Sequence, residues 1–186
     1  MNYKTLLIIL LTMTHLCSCD KNEDASVTFI GDSLIEKWDV RFYFPTMIVR
    51  NDGVGSSGID YIHSKAGTLK KQSVVVLYGT NDGSLWDQSY PQKYINAISA
   101  LGGNDVYVLS ILPRSASMFR YDINENIKSL NAEIKPLVIE QGWHYIDVFD
   151  LFIKDGDINP VYFYDGTHLT DRGYEVLTYE LRKVLK

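Results

Sequence analysis

The sequence predicts an α/β fold: one doubly wound, three-layer α/β/α sandwich around a five-stranded parallel sheet, in the order 2-1-3-4-5. Three observations predict it. Apolar runs rich in Val, Ile and Tyr alternate with helical periodicity from Ser26 to the end of the chain. Val74-Val75-Val76-Leu77 is continuous rather than alternating, as in a parallel strand covered on both faces. Ile123, Ile127, Leu130, Ile134, Leu137 and Val138 recur at three- and four-residue spacing, so one long helix lays an apolar stripe on that sheet. The chain has 186 residues, enough for one domain with a sizeable core, and 46% hydrophobic with 22% charged residues is ordinary globular composition. A net charge of −5 with no Lys/Arg cluster argues against a nucleic-acid partner.

The N-terminal segment stands apart from the fold. Lys4 precedes a mostly apolar run from Thr5 to Leu16, the length of a signal-peptide core and too short to span a bilayer comfortably. Leu16-Cys17-Ser18-Cys19 resembles a bacterial lipobox, which implies a signal peptide over residues 1–18 and a lipid on Cys19. Residues 19–25 then form a tether with the acidic stretch Asp20-Lys21-Asn22-Glu23-Asp24, similar to that of surface lipoproteins. The domain proper is expected over residues 26–186, outside the cytoplasm and anchored to membrane through Cys19. With both cysteines in this leader, the domain has no disulfide or Cys-based metal site.

Strands are expected at Val27–Ile30, Thr46–Arg50, Ser73–Tyr78, Asp105–Leu109 and Trp143–Val148. Helices are expected near Leu34–Phe42, Ile59–Lys65, Pro91–Leu101, Ile123–Gln141 and Thr170–Leu185. Gly142 stops the fourth helix, and Thr170 caps the start of the fifth. Loops after parallel strands gather at one sheet edge. Four such stretches carry reactive or donor groups: Gly31-Asp32-Ser33-Leu34, Asn51-Asp52-Gly53, Gly79-Thr80-Asn81-Asp82 and Asp165-Gly166-Thr167-His168.

Each is a routine turn or cap by itself, and their conjunction is what points to chemistry. A serine hydroxyl is a weak nucleophile and needs a base, for which His168 is the candidate. Asp165, three residues earlier, can hold the imidazole in one tautomer. The backbone N–H groups of Ser33 and Gly53 and the side-chain amide of Asn81 can surround a developing oxyanion. Asp32 and Asp82 read as organisers of their turns. Tyr78, Trp86 and Tyr90 read equally as aromatic surface for a sugar or as core. Asp52, if it faced the cleft, would disfavour anionic substrates.

These four blocks resemble the SGNH subgroup of the GDSL esterase/lipase superfamily: Ser33 in Gly-Asp-Ser-Leu, Gly53 in Asn-Asp-Gly, Asn81 in Gly-Thr-Asn-Asp, and His168 in Asp-Gly-Thr-His-Leu-Thr. The match spans residues 27 to 185 and includes Ile111-Leu112-Pro113-Arg114 after the fourth strand. The resemblance implies a flavodoxin-like SGNH hydrolase fold and hydrolysis of esters or thioesters through an acyl-enzyme. It implies Ser33, Asp165 and His168 as catalytic, and no metal or organic cofactor. A short-acyl esterase acting on carbohydrate is the expectation. The alternatives are a lysophospholipase or thioesterase of the same superfamily and a non-catalytic glycan-binding lipoprotein.

Overall fold

The computed structural model describes residues 26–83, 86–119 and 122–186. The expected signal peptide, Cys19 and the tether lie outside the described residues. Five parallel strands, β1 (Val27–Gly31), β2 (Val49–Gly53), β3 (Ser73–Leu77), β4 (Asp105–Leu109) and β5 (His144–Ile146), form one sheet in the order β2-β1-β3-β4-β5. Helices α1 (Ser33–Glu36), α2 (Val40–Tyr43), α3 (Ile59–Ser64), α4 (Tyr90–Leu101), α5 (Ile123–Glu140) and α6 (Asp171–Arg182) cover its two faces. This is the α/β sandwich the sequence predicts.

Strand β3 shows why its sequence is apolar at every position. Successive side chains point to opposite faces. Val75 and Leu77 pack with Phe29, Trp38, Tyr174 and Leu181 on one side, while Val74 and Val76 pack with Ile62, Tyr94, Ile98 and Ile127 on the other. The chain leaves β1 towards β2 on one side and later returns as β3 on the other. That reversal of winding opens a crevice at the carboxyl ends of β1 and β3.

Two elements differ most from their sequence expectation, beside a fifth strand shortened to His144–Ile146 and a last helix ending at Arg182. The single helix expected over Leu34–Phe42 is broken into α1 and α2. Trp38 is buried edge-on against Phe29, with centroids 5.4 Å apart, and Asp39 starts the second helix by accepting the Phe42 N–H at 3.2 Å. Asn51 Nδ2 donates to the carbonyls of Ile35 and Trp38 at 2.7 and 2.9 Å, satisfying the end of α1. The second strand begins three residues later than expected and takes in Asn51-Asp52-Gly53, which pair in register with Phe29, Ile30 and Gly31. A tripeptide that reads as a turn is the end of a strand. After β5, a 3-10 turn (Phe149–Phe152) and the two-residue strands β6 (Ile153–Lys154) and β7 (Asp157–Ile158) occupy a stretch the sequence left unassigned.

Helix α5 carries two buried asparagines seven residues apart, and both grip the segment that follows β4. Asn131 accepts the Ile111 N–H and donates to the Ile111 carbonyl, each at 2.9 Å. Asn124 does the same for Arg114, again at 2.9 Å each way. The two side chains act as short pieces of strand pairing for a backbone that has left the sheet. Asn131→Ala orphans two buried backbone groups and should lower unfolding stability by about 2–4 kcal/mol in urea titrations. A loss below about 0.5 kcal/mol would contradict this role.

Candidate active site

Strand β1 ends at Gly31, and Asp32 caps α1 by accepting the Leu34 N–H at 2.9 Å. Ser33 therefore stands at the mouth of the crevice as the first residue of α1. Its hydroxyl meets the ring of His168, 135 residues away, with Ser33 Oγ to His168 Nε2 at 2.9 Å. On the other side of the ring, Nδ1 lies 2.6 Å from Asp165 Oδ2. Asp165 Oδ1 accepts the backbone N–H groups of Thr167 and His168 at 3.0 and 2.7 Å, so the carboxylate is fixed by its own loop. Gly166 turns that loop at φ +79°, and an isolated bridge between Phe163 and Leu169 closes it.

The geometry sets the proton positions. With Nδ1–H donated to Asp165, Nε2 is left as the acceptor for the serine hydroxyl. Desolvation pulls the Asp165 carboxyl up, but its bonds from the His168 backbone, the His168 ring and the Thr167 N–H outweigh that and hold it below the ordinary aspartate range. It stays ionised beside the imidazole.

The structure brings Ser33, Asp165 and His168 together as the sequence suggested, and it corrects Gly53. The Gly53 N–H is spent on Asn51 Oδ1 at 2.8 Å. A Cβ at this glycine would sit 2.2 Å from the Glu36 nitrogen, so Gly53 is needed for close packing against the end of α1. The physical reason is the strand boundary: residue 53 still belongs to β2, and the loop starts only at Val54. There a turn closes through Ser57 N–H to the Val54 carbonyl at 3.2 Å, with Ser56 at φ +59°. Positive φ at the third position of a turn rotates its central peptide, and among the described residues the Ser56 N–H has no partner. Asn81 Nδ2 donates one hydrogen to the Ser57 carbonyl at 2.9 Å, which ties this turn to the loop after β3 and leaves the second amide hydrogen available.

Asp32 and Asp82 are organisers, as expected, but both are buried. Asp82 accepts the Ile59 N–H and the Tyr90 hydroxyl, and burial raises its carboxyl despite those bonds. Asp32 is 0% exposed, and burial pushes it up to about 7. The Leu34 N–H, His168 and Arg114 act against that shift, and Asp82 adds to it. Tyr78 and Tyr90 are fully buried in the core, and Trp86 packs partly buried against it. The exposed ring at the site is one the sequence reading missed: Tyr164, 59% exposed, stacks on His168 with centroids 5.8 Å apart. Its position four residues before His168 was the available signal. Asp52 lies 3.1 Å from Arg50, so its charge is matched. Among the described residues no group of three His, Cys, Asp or Glu side chains is disposed to hold a metal ion.

The buried Asp32 carboxyl has a signed consequence. Its pKa is above the ordinary aspartate value of 3.8, so its contribution to stability is greatest below pH 4 and declines as pH rises through about 7. Asn at this position keeps an oxygen to cap Leu34 and does not titrate. The Tm of Asp32→Asn relative to wild type should therefore rise between pH 5 and 8, by about 3 °C or more in calorimetry. A flat or falling difference would contradict the burial.

The family model described as GDSL-like Lipase/Acylhydrolase matches residues 29–176. A relative from Escherichia coli named N-acylneuraminate cytidylyltransferase is 27% identical over 180 residues, covering 87% of this chain. The chain spans only 41% of that relative's length. Among solved structures, a GDSL-like lipase from Bacteroides thetaiotaomicron shares 22% identity with a TM-score of 0.68, covering 84% of this chain and 85% of its own. The acetylxylan esterase Axe2 from Geobacillus stearothermophilus shares 13% identity with a TM-score of 0.65, covering 88% and 95%. Likeness at these identities is one of fold. The family match runs from β1 into α6 and contains every residue of the Ser33–His168–Asp165 arrangement, and the chain belongs to the GDSL-like lipase/acylhydrolase family.

Proposed function

We propose that this chain is a serine esterase that removes short acyl groups from carbohydrate through an acyl-enzyme. The observation that carries the reading is the unbroken run of hydrogen bonds from Asp165 through His168 to Ser33, at 2.6 and 2.9 Å. His168 Nε2 takes the proton of the Ser33 hydroxyl as its oxygen attacks the ester carbonyl. Asp165 stabilises the imidazolium that results. The tetrahedral oxyanion is held by the Ser33 N–H, the free amide hydrogen of Asn81 and, in place of Gly53, the unpaired Ser56 N–H. The imidazolium returns its proton to the departing alcohol. Water, deprotonated by the same ring, then releases the acid from Ser33. The cycle uses no metal or organic cofactor.

Tyr164 offers an exposed aromatic face beside His168, a surface on which a sugar ring can stack. The acetylxylan esterase of like fold and the relative named for an N-acylneuraminate both act on sugars by their names. The lipobox-like Leu16-Cys17-Ser18-Cys19 supports a mature chain outside the cytoplasm, held to a membrane by lipid on Cys19.

Two measurements test this reading. Ser33→Ala should abolish labelling by a fluorophosphonate and lower ester hydrolysis by about 10³-fold or more, with far-UV circular dichroism unchanged. A folded wild-type chain that is neither labelled nor active favours a binding protein. In a nitrophenyl ester series, activity should fall beyond butyrate. A rise towards long acyl chains favours the lysophospholipase or thioesterase alternative, for which exposed Met118 and Phe119 supply apolar surface.

A further inference from the structure

The segment after β4 touches two of the loops that build the site. Arg114 Nη1 donates to the Thr80 carbonyl at 2.9 Å, immediately before Asn81. Its neighbour Ser115 donates its N–H to the Gly166 carbonyl at 2.9 Å, inside the loop of Asp165 and His168. The segment is itself rigid, because Asn124 clamps the backbone of Arg114 on both its N–H and its carbonyl. The Arg114 side chain is half-buried, with its Cζ 3.4 Å from the centroid of the Phe119 ring. Among the described residues it has no carboxylate within ion-pair distance. The buried Asp32 carboxyl feels this charge from beyond that distance, and the hydrogen bond to the Thr80 carbonyl is the direct contact of Arg114 with the site.

We propose that Arg114 is a positioning residue for the oxyanion site: it holds the Thr80–Asn81 peptide so that the free amide hydrogen of Asn81 faces the ester oxygen at Ser33. This rests on the esterase reading and adds the residue that orients one of its donors. The tether has two ends. Asn81 is bound on its amide side to the Ser57 carbonyl and, through its preceding peptide, to Arg114. Asn81 is itself exposed between buried Thr80 and Asp82, and releasing the second end lets its amide swing out of line. A misplacement of about 1 Å at a preorganised donor can cost on the order of 100-fold in rate.

The test is a double-mutant cycle on a short nitrophenyl ester. Arg114→Ala should lower kcat by about 30-fold with KM changed less than about threefold, because the donor acts on the transition state. In an Asn81→Ala background the same change should cost less than about threefold, because there is no amide left to position. Added guanidinium should restore part of kcat to Arg114→Ala and none to the double variant. Arg114→Lys, which keeps a donor, should retain more activity than Arg114→Ala. Multiplying losses, a change confined to KM, or rescue that ignores Asn81 would overturn the proposal while leaving the esterase intact. A wild-type chain inactive on every ester and unlabelled by fluorophosphonate would overturn both.

Discussion

The hydrogen bond between Ser33 Oγ and His168 Nε2 is the contact on which the rest of the structure depends, because it joins the first strand of the domain to the loop before its last helix. A 2.9 Å contact over 135 residues requires that two distant elements be docked to a fraction of an ångström. The core does this. Helix α6 lies on the same face as α1, where the Tyr174 hydroxyl donates to the Leu34 carbonyl at 2.8 Å and its ring packs on Trp38 at 5.8 Å. Trp38 in turn packs on Phe29 of β1. The aromatic cluster is therefore the jig that brings the histidine to the serine.

Polar groups reinforce that jig at a cost. Asp32 and Asp82 are buried under the loops, and each accepts a backbone N–H that shapes a turn, Leu34 on Asp32 Oδ1 and Ile59 on Asp82. Ser56 sits at φ +59° without being glycine, which costs on the order of 1 kcal/mol. Strain and buried carboxyls cluster at the mouth of the crevice, the pattern of a sheet edge that gives up some stability to hold donors in fixed directions.

Side-chain chemistry at this site was legible from the sequence because local spacing carries it. Asp165 and His168 sit three residues apart in a loop that accepts its own N–H groups, and Ser33 directly follows the capping residue. Backbone donors were not legible. Which N–H faces the crevice depends on where β2 ends, and Asn51-Asp52-Gly53 has the composition of a turn while standing in the register of a strand. The roles of Asn124 and Asn131 were not legible: polar residues beside the apolar stripe of a helix read as its solvent edge, and only the fold reveals Ile111 and Arg114 as their partners. Tyr164 was overlooked because an aromatic residue in a loop looks like any other until its exposure and its stacking partner are known.

Membership of the GDSL-like lipase/acylhydrolase family defines the broad chemistry, and the bonds around His168 define which atoms would carry it. The most direct test is to quench the wild-type chain during turnover of a nitrophenyl acetate and map the mass of its peptides. The mechanism predicts one acetyl group on the peptide bearing Ser33 in the wild-type chain and none on that peptide in Ser33→Ala. Steady hydrolysis with no acyl group on Ser33 would contradict it.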